Sequence, residues 1–350
     1  MIHERWKNRI LALFLGICVM AVFAGCGDGG EYITKAMELI AAVDYQGALT
    51  QLDSAEENGE NIRLINRARG IACMGLTDYQ AAIQHFEQAI ADSNGMLQDI
   101  DFDLNFYLAA AYTKSGEYDK AEEIYNAILA LRQVEDAYFL RGNVRMVLGN
   151  YSEAMDDFDK VVEMSPSNYD RLIEIYEVLT YFGHEEVGKD YLRVALNNGG
   201  KQMDKFITGK IYYYLGDFQN AYITLEEARA EGIPESYLYL GKSYEATGDY
   251  NYAVNVYTSY LSKFDGDAQI YNQLGLCEMT RGEYGKALEA FREGMQLPEN
   301  TLLQTLSFNE IVAHEYLGEY EQAYELLEAY LQKYPDDEQA WREYDFLSSR

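Results

Sequence analysis

The stretch RGEYGKALEAF at residues 281–291 decides the fold, because the chain repeats it in altered form. It returns as SGEYDKAEEIY at 115–125, LGNYSEAMDDF at 148–158 and TGDYNYAVNVY at 247–257. Its aromatic residue recurs about every 34 residues, at Tyr45, Tyr79, Tyr118, Tyr151, Phe218, Tyr250, Tyr284 and Tyr320. One interval is double, with Glu185 at its middle. The sequence therefore predicts nine repeated units.

Each unit also carries small and large residues at fixed distances from this aromatic residue. Three positions later stands Ala, except for Gly188 in the fifth unit, and seven positions later stands a large apolar residue. Nine positions before it stands Gly or Ala, except for Tyr176 and Ile311. The Gly-Asp/Glu turn ends one helix and starts the next. We expect the small residues to let the two helices approach, and the large residue to fill the space between neighbouring pairs.

This pattern resembles the tetratricopeptide repeat (TPR) family. In the seventh unit the family positions are occupied by Tyr237, Leu240, Gly241, Tyr244, Ala253 and Tyr257. The resemblance covers about residues 29–350. It implies an all-α, right-handed α-solenoid of about nine helix-turn-helix units, over residues 29–337, with one concave and one convex surface. Residues 338–350 place Trp341 at the start of a tenth unit and then stop, as a C-terminal capping helix does.

The fifth unit, at about residues 169–201, is degenerate because it lacks the usual small residues. A weak stack there predicts a hinge, and the alternative is tolerated drift in one unit.

The first 25 residues have the parts of a secretory signal peptide. A basic start with Arg5, Lys7 and Arg9 precedes an apolar run from Ile10 to Ala24. This run is shorter than the roughly 20 residues that a membrane-spanning helix needs. The alternative is an uncleaved N-terminal anchor.

The apolar run ends in FAGC, which resembles the lipobox of bacterial lipoproteins, although Phe23 replaces the usual Leu or Val. The resemblance implies that residues 1–25 are removed and that Cys26 receives a diacylglyceryl group with acyl chains such as palmitate. Residues 26–30 then form a short lipid-anchored tether. Since two acyl chains suffice for stable attachment, we expect the protein at the cell membrane, on its extracytoplasmic face.

Composition limits the partners. The 350 residues carry a net charge of −30, which repels nucleic acids and anionic lipid head groups. We therefore expect no nucleic-acid binding, and membrane contact only through the lipid. Cys73 and Cys277 lie far apart inside helical patterns, which indicates small packed residues rather than a disulfide.

Motifs for catalysis are missing from the sequence, so no catalytic residue and no cofactor is predicted. His85, His184 and His314 fall in three different units, and no phosphate loop or zinc-protease motif occurs. Asp99, Asp101 and Asp103 begin like a calcium loop, but the glycine and bidentate glutamate that such a loop requires are absent. We interpret this stretch as a solvated connection. Acidic pairs on second helices, such as Asp156 and Asp157, are interpreted as solvent-facing. No metal site is predicted.

In the TPR family, first helices line the concave groove that holds the partner. Positions at or next to −3, +1 and +4 from the small residue of each first helix predict the groove: Phe106, Phe139, Asn143, Ile173, Glu177, Phe206, Lys210, Tyr213, Tyr239, Lys242, Glu245 and Asn272. Aromatic residues favour recognition of extended or helical peptides. The alternative is that some of these rings pack against neighbouring helices. The set lacks the Lys and Asn pattern of chaperone-binding TPR domains.

These observations favour a non-catalytic, lipid-anchored TPR scaffold that holds a polypeptide partner of unknown identity in its groove. By resemblance, such lipoproteins assist assembly of envelope machines, including pilus and outer-membrane β-barrel systems. A second hypothesis is an extracytoplasmic carrier of an anionic or glycan ligand that uses Lys210, Lys242 and the tyrosines. An enzyme is a third hypothesis, and it would need a closed pocket that holds paired titratable groups.

Overall fold

The structure is a computed structural model, and it describes residues 30–93, 95–298 and 300–348. Over these residues the chain forms 19 α-helices, one 3₁₀-helix at Gly200–Gln202 and no strand. Successive helices form nine pairs, each a first and a second helix, and a single helix follows the last pair. The predicted α-solenoid of TPR units with a terminal helix is therefore confirmed.

The chain divides between Asn198 and Gly199 into two compact halves. The helices that begin in the N-terminal half are α1 (Glu31–Ala41), α2 (Tyr45–Glu57), α3 (Ile62–Gly75), α4 (Tyr79–Ala91), α5 (Asp99–Ser115), α6 (Tyr118–Leu131), α7 (Glu135–Leu148), α8 (Tyr151–Met164), α9 (Tyr169–Tyr181) and α10 (Glu185–Gly199). Those of the C-terminal half are α11 (Lys205–Leu215), α12 (Phe218–Ala230), α13 (Ser236–Ala246), α14 (Tyr250–Leu261), α15 (Ala268–Thr280), α16 (Tyr284–Met295), α17 (Leu303–Leu317), α18 (Tyr320–Lys333) and α19 (Glu338–Leu347).

The repeated Gly-Asp turn works as the sequence predicts. Gly216 ends α11 in the left-handed conformation, with φ of 77°, which glycine adopts without steric cost. The Asp217 side chain then accepts a hydrogen bond from the Asn220 N–H and caps the first turn of α12. These two residues therefore end the first helix and cap the start of the second.

In five pairs the glycine of the first helix lies against the large residue of its own second helix. A Cβ atom added at Gly275 would lie 2.2 Å from a ring atom of Phe291. Phe291 is fully buried and shares an apolar cluster with Leu306 and Ala313 of the following pair. The prediction that the large residue fills the space between pairs was therefore incomplete, because the same ring also sets the close approach within its own pair.

The fifth pair, α9 and α10, accommodates a large first-helix residue by a smaller residue at the Ala position of its second helix, while Leu192 keeps the large position. Tyr176 stands where other first helices carry a small residue, and it is buried. Gly188 stands opposite, and a Cβ there would lie 3.1 Å from the Tyr176 ring and 3.2 Å from its backbone. Gly188 in place of the usual alanine thus makes room for the large first-helix residue. This compensation removes the packing argument for a hinge in this pair.

Two sequence interpretations were wrong, and arginines of neighbouring helices explain both. The stretch with Asp99, Asp101 and Asp103 is the start of α5 and not a solvated connection. Asp101 is buried and accepts hydrogen bonds from Arg63 and from the Gln98 N–H. Burial alone would raise the pKa of Asp101, but these hydrogen bonds outweigh it and hold the pKa below its usual range.

Asp157 is also buried and does not face solvent as the sequence suggested. Its carboxylate accepts hydrogen bonds from Arg141 at 2.6 and 3.0 Å and from Arg145 at 2.9 Å. An acidic residue on a second helix reaches the interior here because two arginines of the first helix α7 compensate its charge.

The predicted signal peptide, residues 1–25, and the predicted lipidation site Cys26 lie outside the described residues. Among the helices described, none combines the length and apolar character needed to cross a membrane. Cys73 and Cys277 are free and buried, which confirms that they are packed residues.

Candidate protein-binding surface

Two first helices of the C-terminal half bring together a set of rings and amines that we call the aromatic–lysine cluster. Its members lie on one face of α11 and at the centre of α13: Phe206, Lys210, Tyr213, Tyr214, Tyr239 and Lys242. On α11 the spacing of four, seven and eight residues from Phe206 places these side chains on one helix face. The sequence pattern therefore dictates which side of α11 the cluster occupies.

Tyr239 is the centre of the cluster. Its ring centroid lies 5.8 Å from that of Phe206, 5.6 Å from Tyr213 and 5.9 Å from Tyr214, all with edge-to-face orientation. Its hydroxyl is 3.2 Å from the hydroxyl of Tyr214. Edge-to-face contacts of this kind add stability beyond the buried area, so the rings form one preorganised surface.

Both lysines approach the same ring. The Lys210 Nζ lies 5.3 Å from the Tyr239 centroid and 5.9 Å from that of Tyr214. The Lys242 Nζ lies 5.5 Å from the Tyr239 centroid. These are cation–π distances. Among the residues that the structure describes, Lys210 contacts no carboxylate.

The cluster is only half-buried, so its rings pack on the fold and also keep part of their surface accessible. The four rings and both lysines retain intermediate exposure. Phe206, Tyr213 and Tyr239 also pack on a buried core that includes Leu225 and Leu240. The inner edges of the rings support the fold, while the outer edges stay accessible to a partner.

A half-buried carboxylate lies one turn beyond Lys242. Glu245 accepts hydrogen bonds from the Tyr257 hydroxyl and, at 3.4 Å, from the Gln273 side chain. Burial raises the pKa of Glu245, against the opposing effects of the Tyr257 hydrogen bond and the Lys242 charge. Burial likewise raises the pKa of Cys277, which lies beside this carboxylate. This carboxylate joins α13 to α14 of its own pair and to α15 of the next pair.

Five predicted groove residues lie in the N-terminal half, and Phe106, Phe139 and Asn143 among them form no comparable cluster. Phe106 is half-buried, and its ring centroid lies 6.2 Å from that of Tyr125. Phe139 is buried, with the Arg171 guanidinium 4.1 Å from its ring centroid. Asn143 is buried too, and its Oδ1 has no hydrogen-bond partner among the described residues. The accessible surface of Phe139 and Asn143 is therefore small.

The last predicted groove residue, Asn272, is buried in the C-terminal half. Its Oδ1 accepts a hydrogen bond of 2.8 Å from the Asn309 side chain, which belongs to the next first helix. Asn272 also donates to the Gln273 side chain at 3.2 Å. This amide contact joins α15 to α17.

Sequence reasoning missed Tyr214 and an apolar cavity of about 270 Å³ between α15 and α17. Side chains of both helices line it together with Phe291: Leu276, Met279, Thr280, Asn309, Val312 and Tyr316. Leu276, Met279 and Val312 stand at the same +1 and +4 positions that predicted the groove in other units. The signal was present, but these apolar residues were not selected.

Within the described residues, no three His, Cys, Asp or Glu side chains converge as a metal site. The histidines are engaged in separate local contacts, such as His85 with Asn66 at 3.2 Å and His314 with Glu319 at 2.6 Å. The chemistry that the cluster offers is that of binding: flat apolar area, hydroxyls and two ammonium groups.

Similarity to known proteins agrees with this geometry. Four tetratricopeptide repeat family models match the chain, at residues 74–141, 135–168, 238–296 and 311–344. Together they cover more than half of its length.

Curated relatives are distant. The BBSome complex member BBS4 of Bos taurus is 21% identical over 262 residues, which are 75% of this chain and 43% of that protein. Tetratricopeptide repeat protein 21B of Xenopus laevis is 20% identical over 210 residues, 58% of this chain and 16% of that protein. The chain thus spans less than half the length of these relatives.

A solved structure of a tetratricopeptide repeat protein from Parabacteroides merdae aligns with a TM-score of 0.50 at 12% identity. The alignment covers 72% of this chain and 98% of the other, and it supports the fold alone. TPR scaffolds generally bind protein partners. With paired helices, matched repeats and a structural neighbour of the same kind, this chain belongs to the tetratricopeptide repeat family.

Proposed function

We propose that this chain is a non-catalytic, lipid-anchored scaffold that binds a polypeptide partner on the first helices of its C-terminal half. The observation that carries the proposal is the aromatic–lysine cluster on α11 and α13. Its rings are fixed by edge-to-face contacts on Tyr239, so little side-chain entropy is lost when a partner covers them. Tyrosines dominate binding energy at many protein interfaces.

The fold supports a polypeptide as the ligand. Within the C-terminal half, helix pairs stacked side by side present their first helices in a row, and such surfaces accept extended or helical segments. The apolar cavity between α15 and α17 lies further along this row and offers space for an apolar side chain of the same segment.

Anchoring is the second part of the proposal. The sequence that ends in FAGC supports lipidation of Cys26, and the short stretch at residues 26–30 would hold the fold near the bilayer. The protein would then recruit its partner to the extracytoplasmic face of the cell membrane. The strongly negative charge fits this arrangement, because membrane attachment then depends on lipid and not on a basic patch.

A second candidate is a carrier of an anionic or glycan ligand. Lys210 favours it, since this lysine contacts tyrosine rings and, in the described part of the chain, no carboxylate. Flat rings next to cations and hydroxyls also suit sugars that bear acidic groups.

Photo-crosslinking in cells tests the polypeptide partner. A benzoylphenylalanine probe replaces Phe206 in the cluster, and the control probe replaces Ile223, which is 56% exposed on the second helix α12. We expect a defined polypeptide adduct from the Phe206 probe only. Equal labelling from both probes, or no polypeptide adduct from Phe206, contradicts the proposal.

Cell fractionation tests the anchor separately. We expect the full chain in the membrane fraction after a high-salt wash, with labelled palmitate incorporated, and we expect no label in the Cys26→Ser variant. The mass of the N-terminal peptide gives a direct check. An unacylated residue 26, or equal labelling of both proteins, overturns the lipid anchor and leaves partner binding untouched.

A further inference from the structure

We propose that the partner segment is acidic and that it places a side-chain carboxylate between Lys210 and Lys242 of the aromatic–lysine cluster, next to the Tyr239 ring. This inference rests on the proposed function, because it names the chemistry of the polypeptide that the scaffold holds. The occupant is an internal acidic segment with apolar or aromatic neighbours.

The first argument is the charge balance of the cluster. The chain has 58 acidic and 28 basic residues, so a basic side chain meets a carboxylate of its own protein easily. Lys205, on the same helix, does so with Glu227 at 3.2 Å and Glu231 at 2.8 Å. Lys210 lies little more than one turn later and, among the described residues, has aromatic partners alone. A cation left uncompensated in such a protein is available to a carboxylate from outside.

The second argument is geometry. Both ammonium groups lie within 5.5 Å of one ring centre, and they come from equivalent positions, one residue after Gly209 and Gly241. The Tyr239 ring therefore lies beside two positive charges. Because these side chains are half-buried, a carboxylate there gains more than at a fully exposed lysine.

The third argument concerns the kind of anion. A net charge of −30 repels large polyanions and anionic bilayers at long range. Screening restricts this repulsion to about 8 Å at physiological salt, so a short acidic motif loses little to it. A polypeptide also supplies apolar side chains for the faces of Phe206 and Tyr213, which a simple anion does not.

Peptide selection provides the test. The full chain is panned against a displayed library of random 12-residue peptides, and the same library is panned against Lys210→Met/Lys242→Met. Methionine keeps most of the apolar stem that packs on the rings and removes only the charge. The matched control, Lys286→Met/Lys333→Met, removes two exposed lysines from the second helices α16 and α18 of the same half.

We expect wild-type protein and control to enrich peptides rich in Asp and Glu beside apolar residues, and the cluster variant to lose this enrichment. In solution, a selected peptide should bind the cluster variant about tenfold more weakly. Replacement of its Asp and Glu by Asn and Gln should weaken binding to wild type equally. This peptide-side change tests the same contact without altering the protein, should the variant fold poorly.

Two other outcomes overturn the inference. If the selected peptides show no acidic bias, or bind the cluster variant as tightly as wild type, the two lysines do not bind a carboxylate of the partner. That result leaves the proposed polypeptide scaffold intact. No peptide enrichment, together with lysine-dependent binding of a sulfated oligosaccharide on a glycan array, refutes the inference and the polypeptide scaffold together.

Discussion

The contact between Gly275 and Phe291 is predicted to set the stability of the eighth helix pair. In Gly275→Ala the new Cβ would lie 2.2, 2.6 and 2.7 Å from three atoms of a fully buried ring. Overpacking of this severity costs about 3 kcal/mol, the upper part of the usual range. The higher helix propensity of alanine offsets about 1 kcal/mol of this loss in stability. We therefore expect a net loss of about 2 kcal/mol.

Gly285→Ala is the matched control, because Gly285 lies in the helix α16 of the same pair and has no atom within 4 Å of its added Cβ. It should be neutral or stabilising by about 0.5 kcal/mol. Phe291→Leu provides a rescue, since the smaller side chain makes room for the new methyl group. The double variant Gly275→Ala/Phe291→Leu should be more stable than the sum of the single losses predicts.

The assay is urea unfolding combined with hydrogen exchange, because stacked repeats need not unfold in a single step. A loss of about 2 kcal/mol corresponds to a melting shift of about 4–8 °C for a half of this size. Exchange should accelerate most in α15 and α16. If Gly275→Ala is as stable as Gly285→Ala, or if the two substitutions in the double variant are additive, the small–large contact does not govern the pair.

Three further predictions concern buried polar groups and thiols. Cys73 and Cys277 should resist alkylation until the chain unfolds, because burial raises the pKa of both thiols, and fast labelling of either in native protein would contradict their packing. The raised pKa of Glu245 means that the folded state binds its proton more readily than the unfolded state, so stability falls as pH rises above about 4; Glu245→Gln should remove that slope, and thermal melts of both proteins between pH 4 and 7 check it. Asn143→Leu should stabilise the N-terminal half by about 1 kcal/mol, because it removes a buried acceptor that has no partner among the described residues; a destabilised variant in urea unfolding would indicate an unseen partner.

The sequence predicts the helices well because their signals are local. The Gly-Asp turn, the aromatic residue that follows it and the spacing of small residues all lie within one repeat, and Gly216 with Asp217 performs the turn as expected. Burial of Cys73 and Cys277 follows from the same helical pattern.

Contacts between helices were harder to predict, because a pattern along one helix does not state which side chain faces which neighbour. Asp157 looked solvent-facing until Arg141 and Arg145 of the preceding helix were placed beside it. From the repeat pattern alone, Tyr176 and Gly188 look like two separate departures from the family pattern. Only their contact in the structure shows that the glycine makes room for the tyrosine.

The candidate site shows the same limit. The positions chosen on the first helices include both lysines and three of the four rings of the cluster. They could not show that Tyr239 contacts both lysines, or that Phe139 is buried beneath Arg171. Nor could they show that, among the described residues, Lys210 contacts tyrosine rings and no carboxylate. These features depend on the distance between helices, which the repeat length alone does not fix.

The most direct test of the account is the affinity of the polypeptide captured at Phe206 for two tyrosine variants. Tyr239→Ala removes the centre of the aromatic–lysine cluster, whereas Tyr252→Ala removes a ring that is 58% exposed on the second helix α14. We predict that Tyr239→Ala weakens binding more than about tenfold, as expected for a central interface tyrosine, and that Tyr252→Ala leaves it unchanged. Equal affinity of the two folded variants for the partner would contradict the claim that first helices hold it.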